Sequence, residues 1–180
     1  MIYEPNEDSY LLALVVSKLA RGKVLDMGTG SGIQAEVALE NTNDVLAADI
    51  NNEAVALCRK KGINAVRSNL FQNIQGKFDT IIFNPPYLPE EREYAGIKLS
   101  IQNFNYANDI ALVGGKNGYE TIERFLEQAK NYLPPNGQIL LSFSSLSGDI
   151  ESLMKKYSYK FKKVAERKIF FETLYVYVLS

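Results

Sequence analysis

The chain has 180 residues, 46% of them hydrophobic and 23% charged, the composition of an ordinary globular domain, which argues against a disordered chain, a collagen-like fibre and a disulfide scaffold. It contains no histidine and a single cysteine, Cys58, which rules out Ser-His-Asp and Cys-His catalysis, His-ligated zinc and an internal disulfide. The 20 Lys and Arg nearly balance the 21 Asp and Glu, and a net charge of −1 gives no broad attraction to nucleic acid or to an anionic membrane.

The N-terminus is acidic, with Glu4, Glu7 and Asp8 ahead of the first apolar run, which is not the pattern of a secretory signal. That run, residues 11–16, is far short of the roughly 20 residues that span a bilayer, so a cytoplasmic protein is expected. Residues 6–20 read as a helix, with acids in the first turn and apolar residues at Leu11, Leu12, Val15, Val16 and Leu19. A short strand at 23–27 follows, then glycine turns and a helix over about 31–40. A second strand, 44–49, also ends in an acid, and a helix at 51–61 is closed by Gly62.

Strands are expected at 64–68 and 78–83, and residues 87–116 break into a loop-rich stretch of mixed polarity. A helix over about 118–132 is stopped by Pro134 and Pro135. A strand at 138–144, a helix at 149–157 and two closing strands complete the chain, the last, 173–179, apolar enough to be buried. Alternating strands and helices predict an α/β fold with a doubly wound, mostly parallel sheet, and the closing pair predicts an antiparallel last strand. One domain over 1–180 accounts for the pattern, with 1–22 as an N-terminal helix segment and 88–116 as the region that contacts substrate.

Ligands of such sheets bind beyond the C-terminal strand ends, near the point where strand order reverses. Three strand ends carry chemistry. In Asp26-Met27-Gly28-Thr29-Gly30-Ser31-Gly32, glycines allow a tight turn and a ligand lying against backbone; a plain strand-to-helix turn is the blander alternative. Ile33 stands where the dinucleotide fingerprint has its third glycine, which favours a nucleoside ligand without a pyrophosphate, with Asp26 facing a cationic part of it. Asp49 can accept from both hydroxyls of a ribose, or else cap the helix that follows; its distance from the glycine loop favours the ribose.

The third strand end is Asn84-Pro85-Pro86-Tyr87. Two prolines make a stiff extended loop, and the Asn84 side chain and the Pro85 carbonyl can accept both hydrogens of a planar NH2 group. Such a nitrogen is a poor nucleophile, and two acceptors would orient it and stabilise the positive charge that grows as it attacks a methyl group. Tyr87 offers a flat face to a planar substrate.

These residues, with Ser68-Asn69-Leu70-Phe71, resemble S-adenosylmethionine-dependent methyltransferases of amide or exocyclic amino nitrogens. More narrowly, Tyr3-Glu4-Pro5-Asn6-Glu7-Asp8-Ser9, the run from Ala111 to Gly118 with its Gly114-Gly115-Lys116-Asn117-Gly118, and Phe171-Glu172-Thr173-Leu174 are similar to the short HemK-type protein glutamine N5-methyltransferases of archaea and eukaryotes. The resemblance implies a Rossmann-like class I methyltransferase fold of seven strands, S-adenosyl-L-methionine as methyl donor with S-adenosyl-L-homocysteine as product, and no metal. It implies as substrate the glutamine of the Gly-Gly-Gln motif of a class 1 translation release factor.

Carried over by motif position, Asp26, Gly28, Gly30 and Gly32 line the methionine part of the cofactor, Asp49 and Ile50 the ribose side, and Asn69 and Leu70 the adenine, while Asp8 and Ser9 help close the site. Family members often have Asp at the position of Asn69; an amide oxygen still accepts, without charge assistance. Asn84 holds both cofactor and substrate, and Pro85, Pro86 and Tyr87 complete the substrate side, with Asn84, Pro85 and Tyr87 as catalytic residues. Bacterial relatives carry an extra N-terminal helical domain that this chain is expected to lack.

The resemblance also implies a small zinc-binding activator protein as a possible heterodimer partner, with the strand at 64–68 as its docking edge. A nucleic-acid amino-methyltransferase would use the same Asn84 and Tyr87, but duplex DNA needs a base-flipping device and a cationic surface. A protein lysine methyltransferase and a non-catalytic scaffold explain the Asn-Pro-Pro-Tyr loop less well, as does a nicotinamide-dependent dehydrogenase. The basic residues Lys155, Lys156, Lys160, Lys162, Lys163, Arg167 and Lys168 read as a solvated face, or as a patch for an acidic partner. Tyr94, Phe104 and Tyr106 form either a wall for a glycine-rich peptide or ordinary packing.

Overall fold

Apolar runs of strand length alternate with amphipathic ones, and the fold follows that alternation. The computed structural model describes residues 2–94, 97–100, 112–170 and 172–180. Helix α1 (Glu7–Leu19) is capped by Asn6, whose side-chain oxygen accepts from the Glu7 amide; Glu7 and Asp8 occupy the first turn, where carboxylates meet the positive end of the helix dipole. There follow β1 (Val24–Met27), α2 (Ile33–Ala38), β2 (Val45–Asp49), α3 (Asn52–Lys60), β3 (Asn64–Arg67) and β4 (Thr80–Phe83). Beyond them lie β5 (Leu88–Pro89), β6 (Glu91–Tyr94), β7 (Ile97–Ser100), β8 (Val113–Gly115), α4 (Glu120–Ala129), β9 (Gln138–Ser144), α5 (Ile150–Lys156), β10 (Phe161–Lys168) and β11 (Thr173–Leu179).

The main sheet has seven strands in the order β10-β11-β9-β4-β1-β2-β3. β1 pairs in parallel with β2 and β4, β2 with β3, and β4 with β9, whereas β11 inserts antiparallel between β9 and β10. From β1 the chain winds outward through β2 and β3, then returns to lay β4 on the other side of β1. The order therefore reverses between β1 and β4, and a crevice opens beyond their C-terminal ends.

Successive residues of the central strands point to opposite faces, and both faces are covered. Leu25, Met27, Ile81, Phe83, Ile139 and Leu141 face a layer that includes Ile122, Phe125 and Leu126 of α4. Val24, Ala47, Ile82, Leu140 and Val176 face another, with Leu12 and Val16 of α1. Burial on both faces is why these strands read as unbroken apolar runs.

Two expectations need correction. The segment 88–116 is not wholly irregular: β5 pairs in parallel with β8, and β6 pairs antiparallel with β7. These strands span two to four residues: β6, with Glu91, Arg92 and Glu93, shows no apolar alternation, and that of Ile97 and Leu99 with Lys98 and Ser100 in β7 is too short to mark a strand; the register sets Glu93 opposite Lys98. The helix expected to run to residue 132 ends its α-helical part at Ala129 and tightens into a 3-10 turn, Lys130–Tyr132, ahead of Pro134. Of the aromatic wall, Phe104 and Tyr106 lie outside the described residues, and Tyr94 is placed only as the last residue of β6.

Three of the seven C-terminal basic residues are paired with acids: Lys156 with Glu123 at 2.7 Å, Arg167 with Glu7 at 2.5 Å, and Lys163 with Glu166. That is the pattern of a solvated face rather than of a bare cationic patch. No helix among the described residues is long and apolar enough to cross a membrane.

Candidate active site

Strand β1 delivers Asp26 into the interior, where it is 1% exposed. Its Oδ2 accepts from the Thr29 hydroxyl at 2.5 Å and the Ala35 amide at 3.1 Å, which ties the strand end to the first turn of α2. Gly28 and Gly30 between them adopt φ of 64° and 51°, the left-handed region that side chains disfavour. Gly32 is buried as the N-cap of α2 with φ 88°, and an added Cβ would stand 3.0 Å from Cys58 Sγ, so it shapes the turn.

Burial, with the nearby Asp49 carboxylate adding to it, pushes Asp26 up to about 7 against the pull of its two donors. The folded chain thus favours the protonated acid, while the unfolded chain ionises in the ordinary carboxylate range. Asp26 therefore contributes stability that is complete below that ordinary range and is lost as pH rises through about 7. The melting temperature of the ligand-free protein is expected to fall between about pH 5 and about pH 8, and Asp26→Asn is expected to flatten that slope. Thermal denaturation of both proteins across that range checks it; parallel profiles would contradict it.

Asp49, at the end of β2, is not the cap of the next helix: Asn51 caps α3, accepting from the Glu53 amide. Asp49 instead accepts from the Gly30 amide at 2.9 Å and the Asn51 amide at 2.8 Å, and so clamps the glycine loop to its own strand end. Beside it Ile50 is 48% exposed, an apolar surface at the cleft. After β3, Ser68 donates to the Leu70 carbonyl at 2.5 Å and accepts from the Asn73 amide, holding Leu70 at φ 47°. This tight turn presents Asn69 and Leu70 to the cleft above the stacked rings of Phe71, Tyr132 and Phe125.

β4 ends in Phe83, packed on Phe125, and delivers Asn84. The Asn84 amide nitrogen donates to Asp8 Oδ2 at 3.0 Å, and its Oδ1 is buried with no partner. Asp8 is 5% exposed, and its Oδ2 faces the amide nitrogen of Asn84. Asp8 Oδ1 accepts from the Tyr3 hydroxyl at 3.1 Å and from the Ser9 amide and hydroxyl at 2.6 and 3.2 Å; Oδ2 also accepts from the Tyr87 hydroxyl at 3.4 Å.

Burial, reinforced by Asp8, holds the Tyr3 and Tyr87 phenols well above their ordinary range, so both donate and neither serves as a base. Tyr87 is half-buried and packs against the core; Pro85 is buried, and Pro86 lines the cleft. Ser9 does line it, and its carbonyl accepts from Gln34 Nε2 at 2.9 Å. Gln34 is a residue the sequence did not single out: 4% exposed, lining the cleft, with Oε1 unpartnered.

The Gly114–Gly118 run fits against the back of the Asn84-Pro85-Pro86-Tyr87 loop. The Leu88 amide donates to the Leu112 carbonyl and the Glu90 amide to the Gly115 carbonyl, which zips the loop to β8. A Cβ on Gly114 would lie 2.6 Å from the Pro86 carbonyl oxygen, and one on Gly118 2.6 Å from that of Tyr87. Backbone cannot yield to such contacts cheaply. Gly114→Ala is therefore expected to displace the loop and reduce activity by about 10²-fold, the cost of misplacing a reacting group by about 1 Å. Turnover and cofactor affinity measured together check it, with affinity expected to change little; unchanged turnover would contradict it.

The assembled cleft has a volume of about 1290 Å³. Asp49, Glu90 and Glu120, joined by Asp26 once it ionises, line it against one cationic side chain, Arg124, among the described residues. The field inside therefore favours a cationic ligand and disfavours phosphate. No group of His, Cys, Asp and Glu that could hold a metal ion occurs among the described residues.

Comparison with known proteins agrees with this geometry. Residues 4–103 match the family model described as "Methyltransferase small domain". The chain is 36% identical over 97% of its length to the Methanocaldococcus jannaschii protein named "Putative protein N5-glutamine methyltransferase", of which it covers 89%. It is 32% identical over 70% of its length to the release factor glutamine methyltransferase of Lactococcus lactis, but spans only 48% of that relative. In structure it resembles E. cuniculi Mtq2, solved with Trm112 as the complex responsible for methylation of the eRF1 translation termination factor. The TM-score is 0.76 at 28% identity, covering 99% of this chain and 97% of that one. The chain thus belongs to the methyltransferase small domain family and is an S-adenosylmethionine-dependent methyltransferase.

Proposed function

We propose that the enzyme methylates the side-chain amide nitrogen of the glutamine in the Gly-Gly-Gln motif of a class 1 translation release factor. The observation that carries this choice is Asn84 Oδ1, a buried acceptor with no donor in a residue whose amide nitrogen is held away by Asp8. A buried acceptor of this kind lacks about one hydrogen bond, and a primary amide supplies it. The names of the Methanocaldococcus, Lactococcus and E. cuniculi relatives support the same acceptor.

The residues present fit S-adenosylmethionine, since an acid-lined cleft suits its net positive charge and Gln34 Oε1 awaits a donor. When bound, that cofactor supplies an electrophilic methyl group on a sulfonium centre. Asp26 and Gln34 would hold its ammonium, Gly28 and Gly30 would lie along the methionine part, and Ser9 would border it. Asp49 would accept from the ribose hydroxyls, with Ile50, Asn69 and Leu70 around the adenine. Asn84 Oδ1 and the Pro85 carbonyl would take the two hydrogens of the substrate amide, aligning its nitrogen and stabilising its growing positive charge, while Pro86 borders the glutamine. Tyr87 acts from behind, through Asp8. With both neighbouring phenols protonated, the chain contributes acceptors and alignment rather than a base.

A small zinc-binding activator docking on the edge of β3 is the partner this reading expects; the E. cuniculi relative was solved with Trm112. Two carbonyls of that strand are already occupied, Ala65 by the Arg59 side chain at 3.0 Å and Arg67 by that of Asn73 at 2.9 Å. Strand addition there would exchange those bonds for backbone ones. A translation release factor as substrate supports a cytoplasmic enzyme.

The test offers tritiated S-adenosylmethionine and the enzyme, alone and with the activator, to release factor, to release factor with the motif glutamine replaced, and to duplex DNA. Label in intact release factor that is lost in the replaced one is the expected result. Label in DNA, or in neither protein, would overturn the reading.

A further inference from the structure

An asparagine side chain has nearly the same shape with its oxygen and nitrogen exchanged, yet the two orientations have opposite chemistry. With Oδ1 free, Asn84 accepts from an incoming NH2 group; turned over, it would meet that group donor to donor. Packing cannot choose between them, so polarity must. We propose that Asp8, in the first turn of α1, is the positioning residue that sets the amide of Asn84 with its oxygen toward the substrate. This rests on the function proposed above.

The arrangement around Asp8 is specific to that task. A carboxylate offers only acceptors, so the Asn84 end that faces Oδ2 at 3.0 Å has to be its NH2. The other oxygen is filled by the Tyr3 hydroxyl and by the Ser9 amide and hydroxyl. The Tyr87 hydroxyl, three residues beyond Asn84 in the same loop, closes on Oδ2 at 3.4 Å. Asp8 takes part in none of the ion pairs among the described residues and is 5% exposed, so these five donors offset the cost of burying it. Its charge also polarises the Asn84 amide and makes Oδ1 a stronger acceptor. The segment that begins with Tyr3 is in this way part of the catalytic loop, although 76 residues separate Asp8 from Asn84.

The test is an exchange of the two polar groups. Asp8→Asn removes the acceptor-only partner and frees Asn84 to turn over; kcat is expected to fall by about 10²-fold while the Kd for S-adenosylhomocysteine stays within about twofold. Asn84→Asp alone sets two carboxylates against each other and is expected to be worse. The double variant Asp8→Asn, Asn84→Asp restores complementarity: the new amide at position 8 donates to the new carboxylate, whose other oxygen still accepts from substrate. It is expected to recover at least about tenfold in kcat over Asn84→Asp, a coupling that a merely structural role would not produce. Melting temperatures of the three variants separate misfolding from lost polarity.

A second arm needs no substrate. The side-chain amide protons of Asn84, assigned by their loss in Asn84→Ala, are expected downfield and slow to exchange in the unaltered protein, and shifted in Asp8→Asn. Wild-type kcat in Asp8→Asn, no recovery in the double variant, or amide signals indifferent to Asp8 would each overturn the proposal. Failure of the unaltered enzyme to methylate release factor would sink the substrate reading instead, and the amide signals would still decide the role of Asp8.

Discussion

Asn84→Ala is expected to lower kcat by about 10²–10³-fold, the usual cost of deleting one preorganised polar group at a reacting centre. The affinity for S-adenosylhomocysteine should change by no more than about threefold, because the acceptors assigned to the cofactor lie on other strand ends. Alanine removes the unpartnered Oδ1 and also withdraws one of the five donors to Asp8, so a modest loss of stability accompanies the kinetic effect. Single-turnover rates with saturating cofactor, read beside calorimetric affinities, separate the two. Near-normal turnover in this variant would show that the acceptor lies elsewhere.

Asp49→Ala is expected to have the opposite signature. Its carboxylate fixes the Gly30 and Asn51 amides at 2.9 and 2.8 Å while keeping further acceptor capacity for a ribose. Losing charge-assisted hydrogen bonds worth about 3 kcal/mol in total raises the cofactor Kd by about 10²-fold. Turnover at saturating cofactor should fall far less, since Asn84 is held from α1 rather than from β2. Titration calorimetry checks this, and an unchanged Kd would remove Asp49 from the cofactor site.

Which features were legible in the sequence follows from how far apart the interacting residues lie. Strands β1, β2 and β4 were legible because burial on both faces gives apolar runs, and Asp26, Asp49 and Asn84 at their ends stood out as polar exceptions. The antiparallel direction of β11 was legible from the short connection that precedes it, whereas its insertion between β9 and β10 was not. β6 and β7 were not: Glu91, Arg92 and Glu93 leave β6 without a period of two, and the alternation of Ile97, Lys98, Leu99 and Ser100 in β7 is too short to stand out.

The site divides in the same way. Gly28 and Gly30 announce themselves by residue type, and φ of 64° and 51° explains why. Gly32 looks alike in sequence, and its close approach to Cys58 is visible only in the fold. The Gly114–Gly118 motif was visible as a resemblance, but its reason, backbone pressed against the Pro86 and Tyr87 carbonyls, exists only in three dimensions. Asp8 and Gln34 were the hardest. An acid in the first turn of a helix is ordinary dipole chemistry, and a glutamine in α2 is unremarkable until its buried oxygen is seen to lack a donor.

The central claim is that the methyl group goes to an amide nitrogen gripped by Asn84. It is tested most directly by locating the methyl group: release factor treated with the enzyme and 13C-methyl S-adenosylmethionine, digested, and read by fragmentation mass spectrometry and NMR. A single labelled methyl on the side-chain nitrogen of the Gly-Gly-Gln glutamine, absent with Asn84→Ala, is the predicted result. Label on a lysine, a carboxylate or the chain terminus, or label that persists with Asn84→Ala, would contradict it.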